Sequence, residues 1–201
     1  MWIAGWLLLS AFVCGVAAAA TPSLGRVWVA PLPHQLRLIS TRRSAWIASS
    51  ALFAVALWFA AAGATALTVM LYEAGSTVVS WIGLTSLLVG SALWLVHLAL
   101  RITVTQLVAK AMGEDGPMPD WYEPIAWWGA ALLGGYFVMA NAGFGALAIA
   151  VLSTGRLDEW SAWVVIFLVV LFLATFALFR NTLPVLPQVH ALVLGIAAFM
   201  A

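Results

Sequence analysis

Six long stretches of this sequence contain no Asp, Glu, Lys or Arg. Each is close to the ~20 apolar residues that an α-helix needs to cross the ~30 Å hydrocarbon core of a bilayer. A helix satisfies its backbone hydrogen bonds within one segment, and these stretches are too long and too uniformly apolar for barrel strands. The sequence therefore predicts an all-α polytopic membrane protein, a single domain formed by a bundle of six transmembrane helices. The predicted spans are about 1–20, 45–71, 77–100, 125–153, 160–179 and 183–201.

The composition excludes the main alternatives. Hydrophobic residues make up 65% of the 201 residues and charged residues only 7%, whereas a soluble domain carries about 25% charge. So few polar side chains cannot cover a water-soluble surface, and a chain this poor in basic residues is not a nucleic-acid binder. The first stretch begins with Met1-Trp2 and has no positive n-region, so we interpret it as a span and not as a secretory signal.

The basic residues predict the orientation. Seven of the eight fall in the loops after spans one, three and five, and one falls in the remaining loops. The positive-inside rule places the first group in the cytoplasm, so both termini are expected on the non-cytoplasmic side of the inner membrane. The seven are Arg26, Arg37, Arg42, Arg43, Arg101, Lys110 and Arg180, and the eighth is Arg156.

The twelve tryptophans support the same register, because all but Trp58 fall near predicted span ends or in inner loops. Tryptophan prefers the headgroup layer, since its ring is apolar and its N–H is polar. Such an arrangement is typical of aromatic belts at the two membrane surfaces.

The first inner loop carries a basic segment with interleaved leucine and isoleucine. Arg37, Arg42 and Arg43 are candidate contacts to anionic lipid headgroups or to a partner protein. The alternative interpretation is an ordinary positive-inside loop. The prolines Pro22, Pro31 and Pro33 predict an extended first half of this loop.

Two histidines lie within predicted spans, and ionisable groups inside a membrane are candidates for function. His97 and His190 are expected at similar depth in the same leaflet, where they meet if spans three and six are neighbours. One interpretation makes them axial ligands of a b-type haem in an electron-transfer protein. A second is a proton or ion pathway, and a third is structural hydrogen bonding within the bundle.

Other polar residues occur among small ones. In span three, Ser86 and Gly90 form a small-xxx-small pair that favours close helix approach. In span four, Asn141 lies near the middle of the membrane among glycines and alanines, where it contributes to a pathway or to helix packing. Span five is almost wholly large and apolar, which predicts a lipid-facing rim.

No sequence motif of catalysis or nucleotide binding is present. The leading functional interpretation is therefore a non-enzymatic membrane protein, embedded in the lipid bilayer, that acts as an accessory subunit of a larger membrane complex or as a homo-oligomer. Haem b binding through His97 and His190 is the first alternative, and a small transporter or proton pathway is the second.

Three segments are similar to small multi-span bacterial membrane proteins. They are 93–105, the Pro119-Asp-Trp-Tyr-Glu-Pro124 entry to span four, and Pro187-x-x-His190. The resemblance extends over about residues 45–201. It implies a helical bundle in the bacterial inner membrane, and no activity, ligand or catalytic residue follows from it.

Overall fold

The computed structural model describes residues 1–21, 27, 30–76, 78–113, 116–179 and 183–201. Arg26 and Arg180 of the basic residues, Trp28 of the tryptophans and Pro22 of the predicted extended segment lie outside these ranges. The described residues form α1 (Trp2–Ala19), α2 (Leu32–Thr41), α3 (Arg43–Glu73), α4 (Val78–Ile102), α5 (Val104–Met112), α6 (Tyr122–Thr154), α7 (Glu159–Phe179) and α8 (Leu186–Met200).

The all-α membrane bundle predicted from the sequence is confirmed. Within the described residues, five helical segments are long and apolar enough to cross a membrane: α1, α3, α4 with α5, α6 and α7. The sixth predicted span corresponds to α8, which has 15 residues and is thus ~22 Å long. It is shorter than predicted because residues 183–185 precede the helix and do not belong to it.

The long helices form a closed ring in chain order. The neighbours are α1 and α3, α3 and α4, α4 and α6, α6 and α7, α7 and α8, and the ring closes where α8 packs against α1. Contacts of α6 with α3 and with α8 fill the centre. Consecutive spans cross the bilayer in opposite directions, so neighbours in a ring of six are antiparallel, as in an up-and-down bundle.

A hydrophobic cluster that we call the membrane core joins these ring helices. Its tightest contacts are at glycines, where a side chain would collide with the neighbouring helix. A Cβ on Gly83 would lie 2.9 Å from the carbonyl oxygen of Gly143, and one on Gly63 would lie 2.8 Å from Leu8. Small residues let helix backbones approach closely, which is the main source of packing energy where lipid removes the hydrophobic drive.

A second hydrophobic cluster lies at one end of the bundle, where α3 and α6 begin and α4 ends. We call this the basic end, because Arg37, Arg42, Arg43 and Lys110 lie there. The cluster joins α2 and α5 to the first residues of α3 and α6, through the buried side chains of Val27, Leu36, Ile39, Trp46, Val108, Ala109, Met112 and Tyr122.

Two short helices at this end were not predicted from the sequence. α2 occupies the second half of the first loop, with Pro31 as its N-cap and Pro33 within its first turn; proline fits there because first-turn N–H groups lack helical partners. After α4, Thr103 adopts φ −112° and ψ −86°, and α5 then begins as a separate helix.

Exposed tryptophans occur at both ends of the bundle. Trp2, Trp6 and Trp163 are exposed at the end opposite the basic end, and Trp127 and Trp128 are exposed near the start of α6. Trp46 and Trp94 differ, because both are buried. These two form part of the interior surrounding the candidate site.

Candidate functional site

A cavity of about 220 Å³ lies at the basic end, between α2, α4 and α6. Aromatic and aliphatic side chains form most of its wall, and a few polar groups line it as well. This composition is typical of ligand pockets. The polar and aromatic lining residues are Gln35, Trp46, His97, Arg101, Thr105 and Tyr122, and the apolar ones include Leu36, Leu100, Ile125, Ala126, Gly129, Ala130 and Leu133.

Arg101 gives the cavity a positive charge. Its side chain is 3% exposed, and its guanidinium carbon lies 3.9 Å from the centre of the Trp46 ring. The indole N–H of Trp46 donates to the backbone carbonyl of Arg101 at 2.9 Å. This bond fixes the orientation of the ring that the guanidinium contacts. A guanidinium over an indole face is a cation–π contact, and it keeps the charge on a planar group suited to anions.

His97 lies one helical turn before Arg101 and is fixed by α6. Its Nδ1 lies 2.8 Å from the carbonyl oxygen of Gly129, and its ring stacks on Trp94 with 4.8 Å between centroids. Since a carbonyl only accepts, Nδ1 carries the hydrogen. In the neutral imidazole Nε2 is therefore the acceptor, and in the protonated form it becomes a second donor.

The remaining polar groups of the cavity are held by short hydrogen bonds. The Tyr122 hydroxyl donates to Thr105 Oγ1 at 2.8 Å, so the Thr105 hydroxyl retains its own hydrogen. The Gln35 amide donates to the carbonyl of Ala30 at 2.7 Å, which leaves its oxygen as an acceptor. These contacts fix the positions of the groups that face a bound molecule.

The charge of the cavity and its opening define what it can hold. Arg101 is the one arginine or lysine among the described residues that line it. Ala130, which also lines it, is exposed, and this marks the side on which the cavity opens. The arrangement can bind an anionic group while the aromatic walls accept an apolar chain.

His190 lies in a separate part of the bundle. Its Nε2 donates to Asn141 Oδ1 at 2.8 Å, and the Asn141 amide donates to the carbonyl of Phe137 at 2.8 Å. Both residues are fully buried. Nearby, the Tyr136 hydroxyl donates to the carbonyl of Pro184 at 3.3 Å. Polar contacts thus attach α8 to α6 inside the membrane core.

The structure does not bring His97 and His190 together, and it corrects the expectation that they lie at similar depth. They bond to positions 129 and 141 of α6, twelve residues apart, which is ~18 Å along a helix. The intervening helix explains this, since α4 and α8 each pack against α6. Two axial ligands must reach one iron, so this geometry does not support haem b held by both histidines.

The other candidate residues fall at different places. Ser86 is half-buried and lines an open surface depression with Trp81 and Ile82, while Gly83 and Gly90 on either side of it make the close contacts with α6. Arg37, Arg42 and Arg43 are exposed at the basic end. No group of three or more His, Cys, Asp or Glu side chains that could hold a metal ion occurs in the described residues.

Sequence reasoning did not identify Arg101 as a site residue, because an arginine at the end of a span usually extends to the headgroups. A signal was present in the spacing: Arg101 follows His97 by four residues and therefore shares its helix face. Trp46 and Tyr122 were assigned to an interface belt and a helix entry, and only the packing of α2 shows that both are enclosed.

Comparison with protein-family models, with curated proteins and with solved structures finds no match for this chain.

Proposed function

We propose that this protein is a non-enzymatic membrane protein that binds an anionic amphiphile in the cavity at its basic end. One observation supports this most strongly: the buried Arg101 and the oriented His97 line the same cavity, together with aromatic and aliphatic side chains. Charged hydrogen bonds to an anion are worth about 1.5–3 kcal/mol in such a setting. The aromatic walls accept the start of an acyl chain, and the opening at Ala130 admits it.

The test compares oleate with oleyl alcohol, which has the same chain and no charge. Purified protein in mild detergent is titrated with each, and binding is measured as a shift in melting temperature and by native mass spectrometry. We expect oleate to bind at least tenfold more tightly than the alcohol. Equal binding of the two compounds contradicts the proposal, because the cavity then does not recognise the charge.

The matched variants are Arg101→Gln, Arg101→Lys and Arg37→Gln. Arg101→Gln removes the buried charge, and about 1.5–3 kcal/mol corresponds to a 10- to 100-fold loss of oleate affinity. Arg101→Lys keeps a charge on a side chain that folds in the same place, so it retains part of the affinity. Arg37→Gln removes an exposed charge outside the cavity and leaves binding unchanged. Wild-type affinity in both Arg101 variants excludes this site.

A second candidate function is that of an accessory subunit or homo-oligomer. It is favoured by α7, in which only Ser161, Ala162 and Val165 of the 21 residues are buried. The remaining apolar surface, including Phe167 and Val170, is covered by lipid or by another subunit. Solubilisation into native nanodiscs followed by mass measurement distinguishes lipid from a second subunit on this surface. A stoichiometric partner or a second copy supports the subunit role, and a single chain contradicts it.

We propose further that the protein lies in the bacterial inner membrane with both termini outside the cytoplasm. The support is the positive-inside distribution of the basic residues. A C-terminal alkaline phosphatase fusion is then active and a C-terminal green fluorescent protein fusion is dark. The reverse pattern would place the basic end on the non-cytoplasmic side.

A further inference from the structure

A second concave site lies at the basic end, beside the C-terminal end of α2. It is an open groove of about 370 Å³ between the end of α2, the start of α3 and α5. We call it the basic groove, and its lining consists of Ile39, Ser40, Thr41, Arg43, Gln106, Ala109, Lys110 and Gly113. It shares only Ile39 with the cavity, so the two are separate sites.

Gln106 is the buried polar group of this groove. Its side chain is 4% exposed, and its Oε1 accepts a hydrogen bond from Arg43 Nε at 2.7 Å. An arginine nitrogen can only donate, so the amide oxygen must face Arg43 and the amide nitrogen must face away. That nitrogen has no hydrogen-bond partner among the described residues. A buried donor without a hydrogen bond is costly, and Gln106 lines the groove, so an acceptor that enters the groove and reaches this nitrogen would remove that cost.

The donors of the groove belong to three residues. Among the residues that the structure describes, Arg43 bonds through its Nε to Gln106, which leaves the other guanidinium N–H groups for a ligand. Lys110 is exposed and adds a second charge. The hydroxyls of Ser40 and Thr41 donate to backbone carbonyls of α2, so they supply no further donors. Two cations with a fixed amide N–H match the oxygens of a phosphate group.

The depth of the groove fits the phosphate layer of a bilayer. α1 has 18 residues and is ~27 Å long, close to the ~30 Å hydrocarbon core. Its end is level with Ser49, whose hydroxyl donates to the carbonyl of Ala18 at 2.8 Å. Arg43 precedes Ser49 by six residues of α3, or ~9 Å. It therefore lies just beyond the core, where phospholipid headgroups are found.

We propose that the basic groove binds a phosphate group, held by Arg43, Lys110 and the amide N–H of Gln106. The phosphate belongs to an anionic phospholipid headgroup or to free phosphate, and both present the same acceptor oxygens. This assigns a defined site to one of the three loop arginines. It differs from a diffuse attraction of the whole basic segment to anionic lipid, in which each exposed cation counts equally.

The experiment uses full-length protein in nanodiscs of equal phosphatidylglycerol and phosphatidylcholine, with retained lipid counted by native mass spectrometry. A parallel titration with inorganic phosphate follows the melting temperature in detergent. The variants are Arg43→Gln, Lys110→Gln and Gln106→Glu, with Arg37→Gln as the charge-matched control. Gln106→Glu retains an acceptor for Arg43, so the local fold is kept, and it replaces the amide donor by a carboxylate oxygen.

We expect phosphatidylglycerol affinity to fall about fivefold in Arg43→Gln and in Lys110→Gln. It falls more than tenfold in Gln106→Glu and is unchanged in Arg37→Gln. Retention of phosphatidylglycerol with no effect of inorganic phosphate identifies a lipid headgroup. A phosphate-dependent melting shift that Gln106→Glu abolishes, without retained lipid, identifies free phosphate. An equal loss in Arg37→Gln and Arg43→Gln overturns the proposal, and so does the absence of both ligands from the wild-type protein.

Discussion

In the membrane core, helix backbones touch through glycines, whereas at the basic end large and polar side chains hold the helices apart. Gly83 and Gly143 leave no room for a Cβ between α4 and α6. Farther along the same helix pair, His97 bonds to Gly129, and both residues line a cavity of about 220 Å³. One helix pair thus contains both a tight contact that gives stability and a looser region that can admit a ligand.

The physical reason for the difference is the solvent of each region. An apolar side chain that moves from lipid into the protein interior gains no hydrophobic free energy. Helices within the membrane therefore associate through close van der Waals contact and hydrogen bonds. At the headgroup layer water is present, and the hydrophobic effect again favours burial of Leu36, Ile39 and Trp46 beneath α2 and α5. This second mode of packing tolerates bulky side chains and the spaces between them.

The largest expected effect comes from adding one methyl group to the membrane core. In Gly143→Ala the new Cβ would lie 2.6 Å from Leu87 Cγ and 2.8 Å from the carbonyl oxygen of Gly83. Because one of these atoms is backbone, α4 and α6 must move apart, and we expect the free energy of unfolding to fall by up to about 3 kcal/mol. Reversible unfolding in mixed micelles measures it.

The control is Gly145→Ala, two residues away on the same helix, where the nearest atom to the new Cβ is 3.6 Å away. It should be neutral or slightly stabilising, since alanine is the better helix former by about 1 kcal/mol. Equal destabilisation by the two substitutions would show that the close approach of α4 to α6 is not what matters.

Asn141→Leu tests the polar attachment of α8 within the same core. It removes the acceptor of His190 Nε2, and a buried donor without a partner costs about 1–2 kcal/mol. The double variant Asn141→Leu with His190→Phe removes both partners and should recover most of the loss. A double-mutant cycle on unfolding free energies gives the coupling. Additive losses would mean that the hydrogen bond contributes nothing.

Filling the cavity should separate binding from stability. Ala126 is half-buried and lines the cavity, so Ala126→Leu places apolar atoms in the space for the ligand. We expect oleate affinity to fall at least tenfold while the free energy of unfolding changes by less than about 1 kcal/mol. Ala131→Leu, an exposed position on the same helix, is the control and should bind oleate normally. Unchanged binding in Ala126→Leu contradicts a ligand site here.

The smallest effect is expected for Ser86→Ala. Ser86 lies between the two glycines of α4 that contact α6, but its side chain borders an open depression. We expect a change within about 0.5 kcal/mol in the free energy of unfolding. A loss above about 1 kcal/mol would show that Ser86 belongs to the tight interface after all.

Much of the fold follows from the sequence, and less of the site does. Spans are predictable because each depends on a local property, the absence of charge over enough residues to cross a bilayer. The helix α2 was not predicted, because the prolines were interpreted only as an extended first half of the loop, although Leu36 and Ile39 have helical spacing. The prediction that His97 and His190 lie at a similar depth in the membrane used only the distance of each residue from the end of its own span. That distance does not show which helix lies between the two histidines.

The sequence alone determined that this chain is an all-α membrane bundle, because charge-free segments have no stable alternative in water. The sequence also predicted that most of the basic residues lie in loops on the same side of the membrane. Tertiary structure decided that Arg101 is enclosed with Trp46 and not extended to the headgroups, and that Arg43 meets Gln106 across 63 positions of the chain. Such pairs depend on the ring order and on the depth at which each helix packs, which no local pattern of residues encodes.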